Sequence, residues 1–180
     1  MIRLLTIIGA RPQIIKAAAI SRAIHTQYTT EVEEHILHTG QHYDANMSAV
    51  FFDELGIPQP HYNLHVGSGS HAQQTARIME GVEQVLQQAQ QTNAPYDGII
   101  VYGDTNSTLA AAVAASKIHI PVFHIEAGLR SFNMSMPEEV NRIVCDQLSS
   151  ILFAPTATAV ENLSREGFAA DGIKQQVRFA

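Results

Sequence analysis

The chain has 180 residues, of which 46% are hydrophobic and 16% are charged, and its formal net charge is −6. This composition suits one domain with a buried core, and without a cluster of Lys and Arg it argues against a nucleic-acid partner. The single cysteine, Cys145, excludes a disulfide framework and a cysteine-based zinc site. No apolar run has membrane-spanning length, and Arg3 comes too early for a signal peptide, so we predict a cytoplasmic protein with no membrane partner.

Short apolar runs alternate with longer helical patterns, which is typical of βαβ units on a parallel sheet. The predicted strands are 4–8, 33–38, a short piece at 62–65, 98–102, 121–125, 151–154 and a last run at 177–179. The predicted helices are 12–27, 46–55, 71–91, 106–118, 137–149 and 156–166. The order predicts an α/β fold with a doubly wound, mostly parallel, Rossmann-like sheet. Because the last run lies at the end of the chain, we expect a longer parent protein.

The turn between the first strand and the first helix is a candidate anion site. Gly9 and Ala10 precede Arg11 and Pro12, so backbone N–H groups and the positive end of the helix dipole are expected there. Arg11 and Lys16 add two cations near that pole, where positive charge is unfavourable unless an anion compensates it. We therefore favour a phosphate-type ligand over a plain turn with two solvated basic residues.

Acidic residues follow two strands and open a helix. Asp104 comes after the run 98–102, Glu126 after the run 121–125, and Glu138 after Pro137, a favourable first helical residue. Ligands bind at the carboxyl ends of strands in open α/β sheets, so these groups suggest proton-transfer chemistry. Each also has a structural interpretation. Asp104 or a neighbouring hydroxyl can cap a helix, and Glu138 can form a stabilising i,i+4 pair with Arg142.

The segment His124-Ile125-Glu126 contains the His-x-Glu that opens the zinc deaminase signature. That signature needs a later Pro-Cys-x-x-Cys, which a chain with one cysteine lacks, so we predict no metal. Glu126 is better interpreted as a catalytic or ligand-holding carboxylate with Arg130 as a nearby cation. His124 itself is expected to be a hydrogen-bonded core histidine.

Several long segments resemble the non-hydrolysing UDP-N-acetylglucosamine 2-epimerase family. They are GARPQIIKAAA at 9–19, TGQHYDANM at 39–47, YGDTNSTLAAA at 102–112, HIEAGLRSFNMSMPEEVNR at 124–142 and FAPT at 153–156. The resemblance implies two Rossmann-like lobes arranged as in GT-B glycosyltransferases, with the active site between them. It further implies that 1–180 form the N-terminal lobe, that the C-terminal nucleotide-binding lobe lies outside this chain, and that the parent is a homodimer.

The resemblance also implies an isomerase that converts UDP-N-acetylglucosamine to UDP-N-acetylmannosamine. UDP is eliminated to give 2-acetamidoglucal and is then added back, with no cofactor. By motif match, Asp104, Glu126 and Glu138 fall on the catalytic carboxylates. The residues predicted to bind the UDP-sugar substrate are Arg11, Lys16, Arg130 and Arg142. An effector UDP-sugar site would involve Gln41, His42 and Arg77.

Two alternatives stay open at this point. Gln13 stands where the family's commoner motif has Glu, and the GARPQ and FNMSMPEE variants look closer to sibling enzymes acting on UDP-2,3-diacetamido-2,3-dideoxyglucuronate. An alternative of another class is a non-catalytic sugar-nucleotide-binding or glycosyltransferase-type lobe. Because catalysis needs a cleft with two walls, we expect the isolated 180-residue chain to fold but to be inactive.

Overall fold

The computed structural model describes residues 1–40 and 52–168, together with the backbone of 176–179. The strands are β1 (Ile2–Ile8), β2 (Val32–His38), β3 (Tyr62–Asn63), β4 (Gly98–Tyr102), β5 (Val122–Ile125), β6 (Ile151–Ala154) and β7 (Gln176–Phe179). The helices are α1 (Arg11–Gln27), α2 (His71–Gln91), α3 (Asn106–Lys117), α4 (Pro137–Leu148) and α5 (Ala157–Arg165). Their bounds agree with the sequence prediction to within two residues. Of the helix predicted at 46–55, residues 52–55 are helical and 46–51 lie outside the described residues.

The seven strands form one sheet in the order β3-β2-β1-β4-β5-β6-β7, and every pairing is parallel. The chain builds outward from β1 through β2 to β3, returns to β4 on the other side of β1, and then builds outward through β7. The direction of winding therefore reverses between β1 and β4. The prediction of a doubly wound sheet is confirmed, and this reversal point is where such sheets form a ligand crevice.

Alternating side chains of the central strands fill two cores on opposite faces of the sheet. Leu5 of β1 belongs to the core that also holds α2 and α3 residues, whereas Ile8 of β1 belongs to the core that holds α1 residues. In β4, Ile99 and Ile100 divide between the same two cores. Because both faces are covered, the apolar runs of the central strands are nearly continuous, and the loops at the strand ends are left to carry polar groups.

No helix in the described ranges combines the length and the apolar character needed to cross a bilayer.

Candidate active site

Two turns and one loop meet at the carboxyl edge of the sheet around the reversal point. Gly9 and Ala10 follow β1, Asp104 lies two residues after β4, and Glu126 directly follows β5. Helix α4 starts at this edge as well, because the side-chain amide of Asn141 donates to the backbone carbonyl of Asp104 over 2.8 Å. The three predicted catalytic positions, Asp104, Glu126 and Glu138, are thus all carried by elements of one rim.

The Glu126 carboxylate lies close to Gly103, the glycine that follows β4. Glu126 has φ of +75°, which is unusual for a residue with a side chain, and Gly103 has φ of +64°. A Cβ atom on Gly103 would lie 3.1 Å from Oε2 of Glu126, so a side chain there would crowd the carboxylate. Strained backbone of this kind is concentrated at functional sites.

Asp104 is held by an arginine that is itself fixed by a buried glutamate. Nη2 of Arg142 lies 2.6 Å from Oδ2 of Asp104, and its Nη1 lies 2.8 Å from Oε2 of Glu139. The Glu139 carboxylate also accepts hydrogen bonds from the N–H groups of Ser131 and Phe132. Burial raises the pKa of Glu139, but these backbone N–H groups and Arg142 outweigh it and lower the pKa below 4.5. The prediction that Arg142 pairs with Glu138 is wrong, because Glu139 and Asp104 take the guanidinium.

Glu138 projects from the first turn of α4 and is exposed. Within 1–40 and 52–168, no hydrogen bond or ion pair involves its carboxylate. The preceding loop exposes two large apolar side chains, Phe132 at 77% and Met134 at 63%. Glu138 therefore stands at the open side of the rim beside apolar surface.

The structure changes the interpretation of the β1–α1 turn. Lys16 forms an ion pair with Oε2 of Glu126, so a carboxylate of the protein compensates that cation. The N–H groups of Gly9 and Ala10 donate to Oε1 of Gln13 over 2.8 and 3.1 Å. Of the amides after Gly9, that of Ala10 is therefore taken by a side chain of the protein, and anion binding at this turn stays a prediction. Arg11 is exposed at the start of α1, and its contact with the substrate stays a prediction.

His124 and Arg130 belong to a buried charge network around Asp146. His124 is inaccessible to solvent, and its Nδ1 and Nε2 lie 2.7 Å from Oδ1 of Asp146 and 2.8 Å from the carbonyl of Gly103. Nη2 of Arg130, whose side chain is 1% exposed, lies 2.8 Å from Oδ2 of Asp146 and 2.6 Å from Oε2 of Glu166. The prediction of a hydrogen-bonded core histidine is confirmed. The Arg130 guanidinium supports the loop after β5, and its role in binding substrate stays a prediction.

Among the predicted effector residues, Arg77 is exposed in α2. Gln41 and His42 lie outside the described residues. In the described parts of the chain, no group of three or more His, Cys, Asp or Glu side chains is arranged to hold a metal ion.

Sequence reasoning missed the residues that bind the rim together, chiefly Gln13, Asn141 and Asp146. The sequence did contain one indication for Gln13, because the side chain of a Gln at the third position of a helix can accept from the backbone N–H of the residue that caps the helix. The partners of Asn141 and Asp146 are distant in sequence and left no local signal.

The structure also identifies the residue that caps α3. The Thr105 hydroxyl accepts from the N–H of Ser107 over 3.2 Å. The cap is therefore a neighbouring hydroxyl and not Asp104.

An all-parallel, doubly wound sheet with carboxylates at its reversal point defines a Rossmann-like lobe of the kind found in GT-B-like enzymes. The family model described as UDP-N-acetylglucosamine 2-epimerase matches residues 24–175. The chain therefore belongs to this family, as the sequence motifs predicted.

Three comparisons place the chain within that family and fold. It is 57% identical over 166 residues to UDP-2,3-diacetamido-2,3-dideoxy-D-glucuronate 2-epimerase of Pseudomonas aeruginosa, covering 92% of this chain and 45% of the relative. The crystal structure of Methanocaldococcus jannaschii UDP-GlcNAc 2-epimerase in complex with UDP-GlcNAc and UDP matches with a TM-score of 0.87 and 47% identity, over 98% of this chain and 46% of that one. Phytolacca americana UGT2, complexed with UDP-2fluoro-glucose and pterostilbene, matches with a TM-score of 0.65 and 9% identity over 98% of this chain and 53% of that one, a likeness of fold alone. The chain thus spans under half the length of the epimerases it matches.

Proposed function

We propose that the protein is the N-terminal Rossmann-like lobe of a nucleotide-sugar 2-epimerase, an isomerase, whose C-terminal nucleotide-binding lobe lies outside this chain. The proposed reaction converts UDP-N-acetylglucosamine to UDP-N-acetylmannosamine. The observation that carries the proposal is the delivery of Asp104 and Glu126 by adjacent strands to the rim that α4 completes with Glu138. Homodimerisation of the whole enzyme is part of the same proposal.

The chemistry of the reaction explains why one rim would need three carboxylates. A base removes the C2 proton while the C1–O bond to UDP breaks, which gives UDP and the C1=C2 double bond of 2-acetamidoglucal. An acid then returns a proton to the opposite face of C2 as a UDP oxygen re-forms the bond to C1. Positioned carboxyl groups suit both proton transfers, and cations suit the departing diphosphate.

The surroundings of the three carboxylates support different parts for them. Asp104 is ion-paired with Arg142, and Glu126 with Lys16, so each of these groups is held in place beside a cation. Glu138 is exposed and, within the described residues, has no such partner. In the proposal, Glu138 meets the sugar from the open side, whereas Arg11 and Lys16 lie on the side of the diphosphate.

The diacetamido uronate is a second candidate substrate. The 57% identity to an enzyme named for UDP-2,3-diacetamido-2,3-dideoxy-D-glucuronate favours it. The two candidates share the acetamido group at C2, so the same elimination and re-addition serve both. They differ at C3 and C6, where the diacetamido sugar carries an amide and a carboxylate.

The test is to incubate the intact enzyme containing this lobe with each UDP-sugar in deuterium oxide. The expected result is a C2 epimer that carries solvent deuterium at C2, and the ratio of kcat/KM for the two sugars selects the substrate. Asp104→Asn, Glu126→Gln and Glu138→Gln should each lower kcat by about 100-fold or more. Glu31→Gln, which changes an exposed carboxylate outside the rim, is the matched control and should behave as wild type.

Two results would refute the proposal. Absence of epimer and of deuterium with both sugars would leave a non-catalytic sugar-nucleotide-binding or glycosyltransferase-type lobe as the better interpretation. Epimerisation by the isolated 180-residue chain at the rate of the intact enzyme would refute the need for a second lobe.

A further inference from the structure

One buried amide side chain connects the two turns that lie on either side of the reversal point. Gln13 is 3% exposed and belongs to the first turn of α1. Its Oε1 accepts from the N–H groups of Gly9 and Ala10 on the β1–α1 turn. Its Nε2 donates to the carbonyl of Tyr102 over 2.7 Å, at the point where β4 ends and the turn carrying Asp104 begins.

The contacts of this side chain require both a donor and an acceptor. On one side its neighbours are backbone N–H groups, and on the other side are the Tyr102 carbonyl and the hydroxyls of Thr105 and Thr108, at 3.1 and 3.0 Å from Nε2. The Thr108 hydroxyl itself donates to the Tyr102 carbonyl over 2.7 Å, so its oxygen is left to accept from Gln13. The opposite orientation of the amide would bring N–H against N–H and oxygen against oxygen, which fixes the orientation.

Close packing around Gly9 brings the β1–α1 turn against the end of β2 and the start of α3. A Cβ atom on Gly9 would collide with the side chains of Thr39 and Ser107. These two hydroxyls lie 2.8 Å apart, and both residues are buried. The ends of β1 and β2 and the start of α3 therefore converge on one point, and Gln13 supplies the bond from α1 to the end of β4.

We propose that Gln13 is a positioning residue, whose neutral amide holds the turn that carries Arg11 in register with the turn that carries Asp104. The inference rests on the proposed function, because register between these turns matters to catalysis only if both contribute to the site. The first turn follows β1 and the second follows β4. Gln13 joins the two turns by a hydrogen bond between residues 89 positions apart in sequence.

Two substitutions test the donor (Nε2) and the acceptor (Oε1) of the Gln13 side chain separately. Gln13→Met keeps the length of the side chain and removes every hydrogen bond. Gln13→Glu keeps the acceptor for Gly9 and Ala10 but places a carboxylate oxygen against the Tyr102 carbonyl, where only a protonated carboxyl can donate. The charged side chains carried by the neighbouring turns and helix starts are Arg11, Lys16, Asp104 and Glu126, and Arg142 is paired with Asp104.

A matched control exists at the start of α2. Gln73 also occupies the third position of a helix, and its Oε1 accepts from the N–H of Ser70 over 3.4 Å. Gln73 is exposed. Gln73→Glu therefore makes the same chemical change at the same helical position without a buried acceptor opposite, and it should match wild type at every pH.

The experiment measures kcat and KM of the intact enzyme, by deuterium incorporation at C2, from pH 5.5 to pH 8.5. We expect Gln13→Met to lower kcat by about tenfold or more at every pH, since it leaves the N–H groups of Gly9 and Ala10 unpaired and removes the hydrogen bond from α1 to the end of β4. Gln13→Glu should show a similar loss at pH 8.5 and recover towards wild type at pH 5.5. Retention of wild-type kcat by Gln13→Met, or a pH profile of Gln13→Glu that matches wild type throughout, would overturn the proposal.

A second measurement keeps the test valid if the protein is not an epimerase. Hydrogen exchange of the 180-residue chain at pH 8 should be about tenfold faster at 103–108 in Gln13→Glu than in Gln73→Glu. Exchange at the amino end of β2, which lies away from the rim, should be the same in both variants. If wild type incorporates no deuterium, the proposed function fails, and the exchange data alone decide on Gln13. Equal exchange at 103–108 in both variants would overturn the positioning role.

Discussion

Replacing His124 by Gln should remove a buried positive charge and change how stability depends on pH. Both ring nitrogens of His124 face oxygen atoms that can only accept, the Asp146 carboxylate and the Gly103 carbonyl. Both nitrogens must therefore carry hydrogen, which makes the ring an imidazolium. Burial lowers the pKa of His124, but the Cys145 and Asp146 side chains outweigh burial and hold the pKa well above 6.5.

The magnitude follows from the two hydrogen bonds. Each is made by a charged, fully buried donor, and disrupting such an arrangement costs about 3–5 kcal/mol.

The cost should depend on pH, because the pKa of His124 is raised on folding. The contribution of His124 to the free energy of unfolding is complete below the unfolded pKa near 6.5 and is lost as the pH rises towards the folded pKa. One proton corresponds to about 1.4 kcal/mol per pH unit. The difference in stability between wild type and His124→Gln should therefore shrink as the pH rises above 6.5, by at most about 1.4 kcal/mol per pH unit.

The assay is urea unfolding of both proteins at half-unit steps from pH 6 to pH 8.5. The exposed His25→Gln is the control for loss of a histidine, and it should not reproduce the slope. His38 does not affect the slope above pH 6.5. Burial and the charge of His65 lower the pKa of His38 to about 4, so its contribution to the free energy of unfolding changes below pH 6.5. A stability difference that stays constant from pH 6.5 to pH 8.5 would refute a buried imidazolium at His124.

Three further predictions concern the rim. Gly9→Ala should cost about 3 kcal/mol in urea unfolding, because the added methyl group collides with the side chains of Thr39 and Ser107; a stability equal to wild type would contradict the packing described at that turn. Glu139→Gln should cost about 2–3 kcal/mol near pH 7, and since the pKa of Glu139 is lowered on folding, the difference from wild type should shrink as the pH falls below 4.5, whereas a difference that grows on acidification would contradict this sign. UDP should raise the melting temperature of the wild-type chain and not that of Arg11→Ala, and equal thermal shifts in the two proteins would exclude Arg11 from the anion site.

The sequence was sufficient to predict the elements and to place the acidic groups at strand ends. Strand β4 and helix α4 could be located because their signals are local, an apolar run followed by Gly103 and a proline at the first helical position. Strands that alternate with helices are expected to pair in parallel, and parallel strands have their carboxyl ends at one edge of the sheet. The position of Asp104 and Glu126 on that edge thus follows from patterns a few residues long.

The pairing of charges does not follow from such patterns, and Lys16 shows why. From the sequence alone the Lys16 cation near the start of α1 has no counter-charge, because no acidic residue lies in the first turn of that helix. Its partner is Glu126, 110 residues away, which reaches it only because β5 and β1 both border β4 in the sheet. A long flexible side chain can choose among several carboxylates at a crowded rim, and the choice depends on turn conformations such as φ of +75° at Glu126. A misplaced charge in a sequence therefore indicates that a counter-charge exists, whereas only the folded chain decides whether the protein or a ligand supplies it.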